Sequence, residues 1–216
     1  MIGATGGAMD DSVRLGPRET AGDRDFTAPA RTAEDLRAVG RMLETLRQEV
    51  ARAGQRPAGP RSLTLEARES DGRAHRTIVC DASRLGDGRD ITWVGFFAEK
   101  RRDRDSTPLT VMDDELIREF PTHPDILSYS SLELADGDWG NLILLDGEAA
   151  RDRWRAGERH AYAARELAPR HYTHVRLHQG QLTGGVLGGQ APVLRRTKYY
   201  DYRGDATWRA EREVPQ

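Results

Sequence analysis

"NLILLDGEAARDRWRAGERHAYAARELAPRHYTHVRLHQG", residues 141–180, decides the fold class. It opens on Leu142, Ile143, Leu144 and Leu145, a short apolar run of the kind a buried strand needs. Ala150, Trp154, Gly157, Ala161, Ala164 and Ala168 then recur at spacings of three and four, which predicts one long helix. Asp146 is available as its N-cap, and Pro169 marks its end. His174, Arg176 and His178 next alternate with Val175 and Leu177, which predicts a strand with one polar and one apolar face.

Upstream, "ITWVGFFAEK" (91–100) is apolar on both faces, as a central strand should be. "MDDELIREF" (112–120) reads as a short helix closed by Pro121 and Pro124. Residues 125–146 read as two strands joined by the turn "ADGDWG". From about 91 to 180 the order is therefore strand, helix, strand, strand, helix, strand. That predicts an α+β chain built on a ferredoxin-like βαββαβ unit.

Further out, Leu36, Val39, Leu43, Leu46 and Val50 form one apolar stripe on an N-terminal helix. Thr32 and Asp35 stand as its capping box, Gly54 stops it, and "GQRPAGP" follows as a linker. Residues 62–82 read as a β-hairpin turning at "SDGR", and two strands follow residue 190. "TGGVLGGQAP" (183–192) lacks the Gly-Lys-Ser/Thr ending of a phosphate loop and reads as a flexible connection or lid. Residues 1–30 show no hydrophobic period and are expected as a disordered arm, leaving 31–216 as a single domain.

Composition narrows the function. Charged residues are 31% of the chain and the net charge is −2, so no basic footprint for nucleic acid exists. Lys100, Arg101, Arg102 and Arg104 do cluster, but Asp103 and Asp105 interrupt them. The single cysteine, Cys80, excludes an internal disulfide and reads as a small buried hydrophobe. No signal peptide is legible, and no apolar run approaches the ~20 residues of a membrane helix. The expectation is a soluble, cytoplasmic protein without nucleic-acid or membrane partners.

Trp154, His160, Tyr172 and "HVRLH" after the strand "NLILL" resemble the second half of a dimeric α/β-barrel domain, the superfamily of antibiotic-biosynthesis monooxygenases and stress-responsive barrel proteins. The resemblance implies an α/β barrel closed as a homodimer around a cavity for a small molecule. It further implies a proton-transfer or oxygenation enzyme working without a dinucleotide or, alternatively, a non-catalytic protein binding a ligand or haem. On this reading Asn141, Trp154 and His160 surround the substrate, and His160 is the residue to act as proton donor or haem ligand.

The residues themselves leave two readings of the strand face. His174, Arg176 and His178 either meet water, as half-buried strands do, or line the cavity as catalytic groups. Arg offers a fixed fork of donors and His a proton near neutral pH, which suits an anion or a carbonyl. A metal is not expected. Residues i and i+4 on a strand lie about 13 Å apart, so His174 and His178 cannot share an ion without a ligand such as His75 or His123. Tyr129 and Tyr199 complete the candidate substrate contacts, with packing as the plainer role for a strand aromatic.

Overall fold

The computed structural model describes residues 12–53 and 63–215. The chain is α+β, with one sheet of nine strands. In chain order these are β1 (Val13–Arg14), β2 (Leu63–Arg68), β3 (Ala74–Val79), β4 (Ile91–Lys100), β5 (Ile126–Glu133), β6 (Trp139–Leu145), β7 (Tyr172–Leu182), β8 (Val193–Asp201) and β9 (Trp208–Glu213). They lie side by side as β1-β9-β8-β7-β4-β6-β5-β3-β2. All neighbours are antiparallel except β1 and β9, which run parallel.

The order expected for 91–180 is present. β4 leads through α3 (Thr107–Glu119) to β5, and β6 returns between β4 and β5. A broken helix then leads to β7 on the far side of β4. That helix divides into α4 (Glu148–Ala156), α5 (Glu158–Tyr162), a π-helical turn (Ala163–Leu167) and α6 (Ala168–His171). Gly157 sits extended at ψ 139°, which splits α4 from α5. Pro169, expected to end the helix, lies inside its last turn.

The barrel expectation is overturned: the sheet is open, with β1 and β2 as its two edges. The reason is α1 (Pro29–Ala53), which occupies the face a barrel would close upon. Val39, Met42, Leu43 and Leu46 are wholly buried against Trp93 and Phe97 of β4, Leu142 and Leu144 of β6, and Leu132 of β5. The opposite face carries the other helices: Phe120, Ala150 and Trp154 pack on Ile78, Ile126, Tyr129 and Leu145. "ITWVGFF" is apolar on both sides because the sheet is covered on both sides. The homodimer was expected from an uncovered apolar face, and α1 covers that face within the chain.

Room for α1 comes partly from glycine. A Cβ on Gly140 would lie 2.5 Å from the Phe97 ring, so only glycine lets that ring lie flat over β6. α1 itself begins at Pro29 rather than Thr32, with Pro pre-set for a first helical turn. Thr32 and Asp35 are therefore interior helix residues, not a capping box. The expected stop at Gly54, the linker after it and residues 1–11 of the expected arm lie outside the described residues.

Residues 12–30 do not behave as a disordered arm. Val13 and Arg14 pair with β9, and Leu15, Phe26 and Thr27 are buried. Arg212 of β9 ties this strap down: its Nε donates to the Gly16 carbonyl at 3.0 Å and its guanidinium also donates to the carbonyls of Glu19 and Thr27. The glycine-rich stretch is likewise no free lid. Val186 is wholly buried, and Arg47 of α1 donates to the carbonyls of Val186 and Gln190. Among the described residues no helix is long and apolar enough to cross a membrane.

Candidate functional site

The polar face of β7 is the first place to look. Directly opposed residues on neighbouring strands share a face, and the register sets Phe97, Arg176, Tyr199 and Ala210 in one row beneath α1. His178 and Thr197 lie in the next row. α1 sends Asp35 down into these rows. Arg176 donates to both of its oxygens, from Nε at 2.6 Å and from the terminal guanidinium at 3.0 Å. His178 Nε2 donates to Asp35 Oδ2 at 2.8 Å, and its Nδ1 meets Thr197 Oγ1 at 2.8 Å. Arg176 also donates to His174 Nε2 at 3.2 Å, and the Phe26 ring stacks on His174 with centroids 4.3 Å apart.

These groups face neither water nor a wide cavity. His178 is fully buried, and His174 and Arg176 are each 9% exposed. Burial raises the Asp35 carboxyl pKa, but the hydrogen bonds and charges of His178 and Arg176 outweigh it and hold the group below its usual range. Burial, aided by the Arg176 charge, pushes His174 down to about 4, so it stands neutral and accepts from Arg176. A half-open cleft of about 230 Å³ touches His174 and Arg176 from outside, but Asp35 already takes the donor fork of Arg176. The cluster is a satisfied internal ion-pair network, and the catalytic roles expected for His174, Arg176 and His178 find no free group to carry them. Tyr199 belongs to the same interior: it is wholly buried, with its hydroxyl 2.5 Å from Arg212 and 3.4 Å from Thr32 Oγ1.

Trp154 and His160 lie on the opposite face. His160 packs edge-on against Trp154 at 5.6 Å, and His123 packs on the same ring at 5.0 Å. Burial, with the nearby Arg155 charge, lowers His160 to about 4. Neither of the two clefts described reaches His160, and both are lined by charged side chains, so the residues do not fit a haem site. Among the described residues no group of three or more His, Cys, Asp or Glu side chains is placed to hold a metal ion.

Asn141 lines a larger cleft of about 600 Å³ between the sheet and the first half of α3; Tyr129 does not line it and is tied to it through Asp113. The register aligns Arg76, Ser131, Asn141 and Phe96 on this face. α3 supplies Asp113, which sits in a clamp: the Tyr129 hydroxyl donates to its Oδ1 at 2.7 Å and Arg76 to its Oδ2 at 2.5 Å. Arg76 Nε is buried with no hydrogen-bond partner. Asn141 and the Tyr172 hydroxyl, both at the cleft, have none among the described residues either. Burial, with the charges of Asp113 and Asp138, raises the Tyr172 hydroxyl pKa, and Tyr129 is raised likewise by burial and Asp113. Both phenols therefore stay protonated: Tyr129 donates to Asp113, and Tyr172 is able to donate.

The expected single cavity is thus three separate places. Sequence reading missed Asp35, Phe26 and Arg212 in the network, and Asp113 and Arg76 at the cleft. One signal was available: Thr32 and Asp35 extend the stripe of Val39, Met42 and Leu46 at helical spacing, so they had to point the same way. Nothing local distinguishes Asp113 within "MDDELIREF".

Fold and clefts together define an α+β protein with an open sheet, helices on both faces and polar clefts of about 600 and 230 Å³. No protein-family model matches the chain, and no curated protein matches it. Among solved structures, protein SO0527 from Shewanella oneidensis is similar over 44% of this chain and 95% of that one, at 15% identity and a TM-score of 0.37. A likeness that slight carries no argument.

Proposed function

We propose that the chain is a small-molecule-binding protein whose site is the cleft between α3 and the sheet. The observation that carries this is a cleft of about 600 Å³ that gathers donors without partners, Arg76 Nε, Asn141 and the Tyr172 hydroxyl, around a rigid Asp113 clamp. The volume is that of ordinary ligand pockets, roughly 300–1,000 Å³. Asn141 and the Tyr172 hydroxyl are part-exposed at the cleft and can donate to a ligand acceptor.

Binding is favoured over proton transfer by the state of the two phenols. A phenol held protonated is a good hydrogen-bond donor and a poor acid near neutral pH. Asp113, the nearby carboxylate, has an oxygen committed to each of Tyr129 and Arg76. On the fold, we read Ile91–Leu182 as a ferredoxin-like unit, supported by the placing of β6 between β4 and β5 and of β7 beyond β4.

A thermal-shift screen of small polar metabolites, followed by calorimetry on the hits, tests the site. Tyr172→Phe and Asn141→Leu should each weaken the best hit by about fivefold or more, the scale of one lost hydrogen bond. Undiminished binding by the double variant would place the ligand elsewhere and end this reading.

A further inference from the structure

The shape and polarity of the cleft narrow its ligand, given the binding role proposed above. Its lining comes from six adjacent strands: Tyr172 of β7, Lys100 of β4, Trp139 and Asn141 of β6, Ser131 of β5, Arg76 of β3 and Glu66 of β2. Strands lie about 4.8 Å apart, so the cleft crosses about 24 Å of sheet. Spread over that length, about 600 Å³ leaves a channel of roughly 25 Å² in section, about one extended chain wide. A compact or fused-ring ligand would leave most of it empty.

The two ends differ in charge. At the β4–β7 end stand Lys100, the Asn141 amide and the Tyr172 hydroxyl, all able to donate. The two acids whose charges act on the Tyr172 hydroxyl are already engaged, Asp113 by Tyr129 and Arg76, and Asp138 by the Lys100 backbone N–H at 3.3 Å and by Arg102 at 2.9 Å. In the middle, Arg76 pairs with Asp113, and Asp114 of α3 adds a second acid. The far end holds Glu66 and Arg68 on β2, of opposite sign. Leu109, Ala67, Ala74 and Trp139 line the channel together with these polar groups. A fatty chain would leave the polar groups bare, whereas a peptide offers a carbonyl or amide at each step.

We infer that the groove takes a short extended peptide, about six or seven residues at roughly 3.3 Å each, with its C-terminal carboxylate at Lys100, Asn141 and Tyr172. Capture of a terminal carboxylate by convergent donors is an established mode of peptide recognition.

The test passes two pooled hexapeptide libraries, one with free C-terminal acids and one C-terminally amidated, over the immobilised full chain. Retained peptides are identified by mass spectrometry and resynthesised for calorimetry. The free-acid pool should yield binders and the amidated pool few. Lys100→Met should weaken a resynthesised free acid about tenfold and leave its amide unchanged, while circular dichroism verifies that the variant is folded. Equal retention of both pools would overturn the carboxylate anchor. Retention of neither pool, alongside a metabolite hit sensitive to Tyr172→Phe, would overturn the peptide and leave the binding cleft standing. Retention of neither pool and no such hit would overturn both.

Discussion

Asp35 is the residue on which the interior of the α1 face turns, and Asp35→Ala measures it. The substitution removes the acceptor of three hydrogen bonds, two from Arg176 at 2.6 and 3.0 Å and one from His178 at 2.8 Å. The guanidinium it strands is only 9% exposed. Breaking a buried pair on one side costs about 3–5 kcal/mol, because the remaining charge keeps its desolvation penalty. At about 2–4 °C per kcal/mol for a chain of this size, the midpoint should fall by roughly 6–20 °C. Thermal denaturation followed by tryptophan fluorescence and by circular dichroism would read it. Asp35→Leu combined with Arg176→Met should recover most of the loss, since an apolar replacement of both partners is often neutral or better. Acid adds a third arm. The folded carboxyl is held below its unfolded value, so its contribution is complete above about pH 4–5 and is lost as pH falls through the folded pKa. The gap between the parent and Asp35→Ala should thus close only in strong acid. A single variant within a degree or two of the parent at neutral pH would refute the network.

Three further outcomes are expected. Gly140→Ala drives a methyl to 2.5 Å from the buried Phe97 ring and should cost about 1–3 kcal/mol, visible as a lower denaturation midpoint at unchanged slope; no loss would mean the ring has space to move. Phe26→Ala should cost about 3–5 kcal/mol despite lying in the first thirty residues, because the ring is 6% exposed and stacked on His174; a midpoint like the parent's would mean the strap does not pack. His174 is lowered to about 4 in the folded chain, so the unfolded chain binds the extra proton between about pH 6.5 and 4, and stability should decline as pH falls through that window. His174→Gln should flatten that decline, and identical slopes in parent and variant would exclude His174 as its source.

Much of the sheet was legible because strands announce themselves by local pattern. Residues 91–100 are expected and found as one central strand, and the hairpin at 62–82 and the pair within 125–146 appear as β2–β3 and β5–β6. What covers the sheet was not legible. The stripe of α1 states that one face is buried but not against what, and the same stripe would serve a helix outside a barrel. Whether α1 fills the open face is decided by contacts between residues over a hundred apart, such as Asp35 with Arg176. The strap fails for a related reason: Leu15 and Phe26 are eleven residues apart and follow no period, so each looks like a stray apolar residue until Arg212 gathers the backbone between them. The candidate site divided likewise. Alternation places Asn141 and Tyr129 on one face, but only Asn141 lines the cleft, and residues of one polar stripe, His174, Arg176 and His178, were answered by a helix instead of a ligand.

That α1 precedes every strand it packs on also sets an order in time. Asp35 must wait for Arg176 and His178, 141 and 143 residues further on, and both reach their rows only after β4 and β7 have paired. Closing so long a loop is slow, and until then α1 can dock only through its apolar stripe on β4, β5 and β6, without its polar anchor. During synthesis the apolar stripe of α1 therefore stays uncovered while the strands it packs on, as far as Leu144 of β6, follow it out. The docking of α1 belongs to the downhill side of the folding barrier, so loss of Asp35 should quicken unfolding and leave the folding rate nearly unchanged.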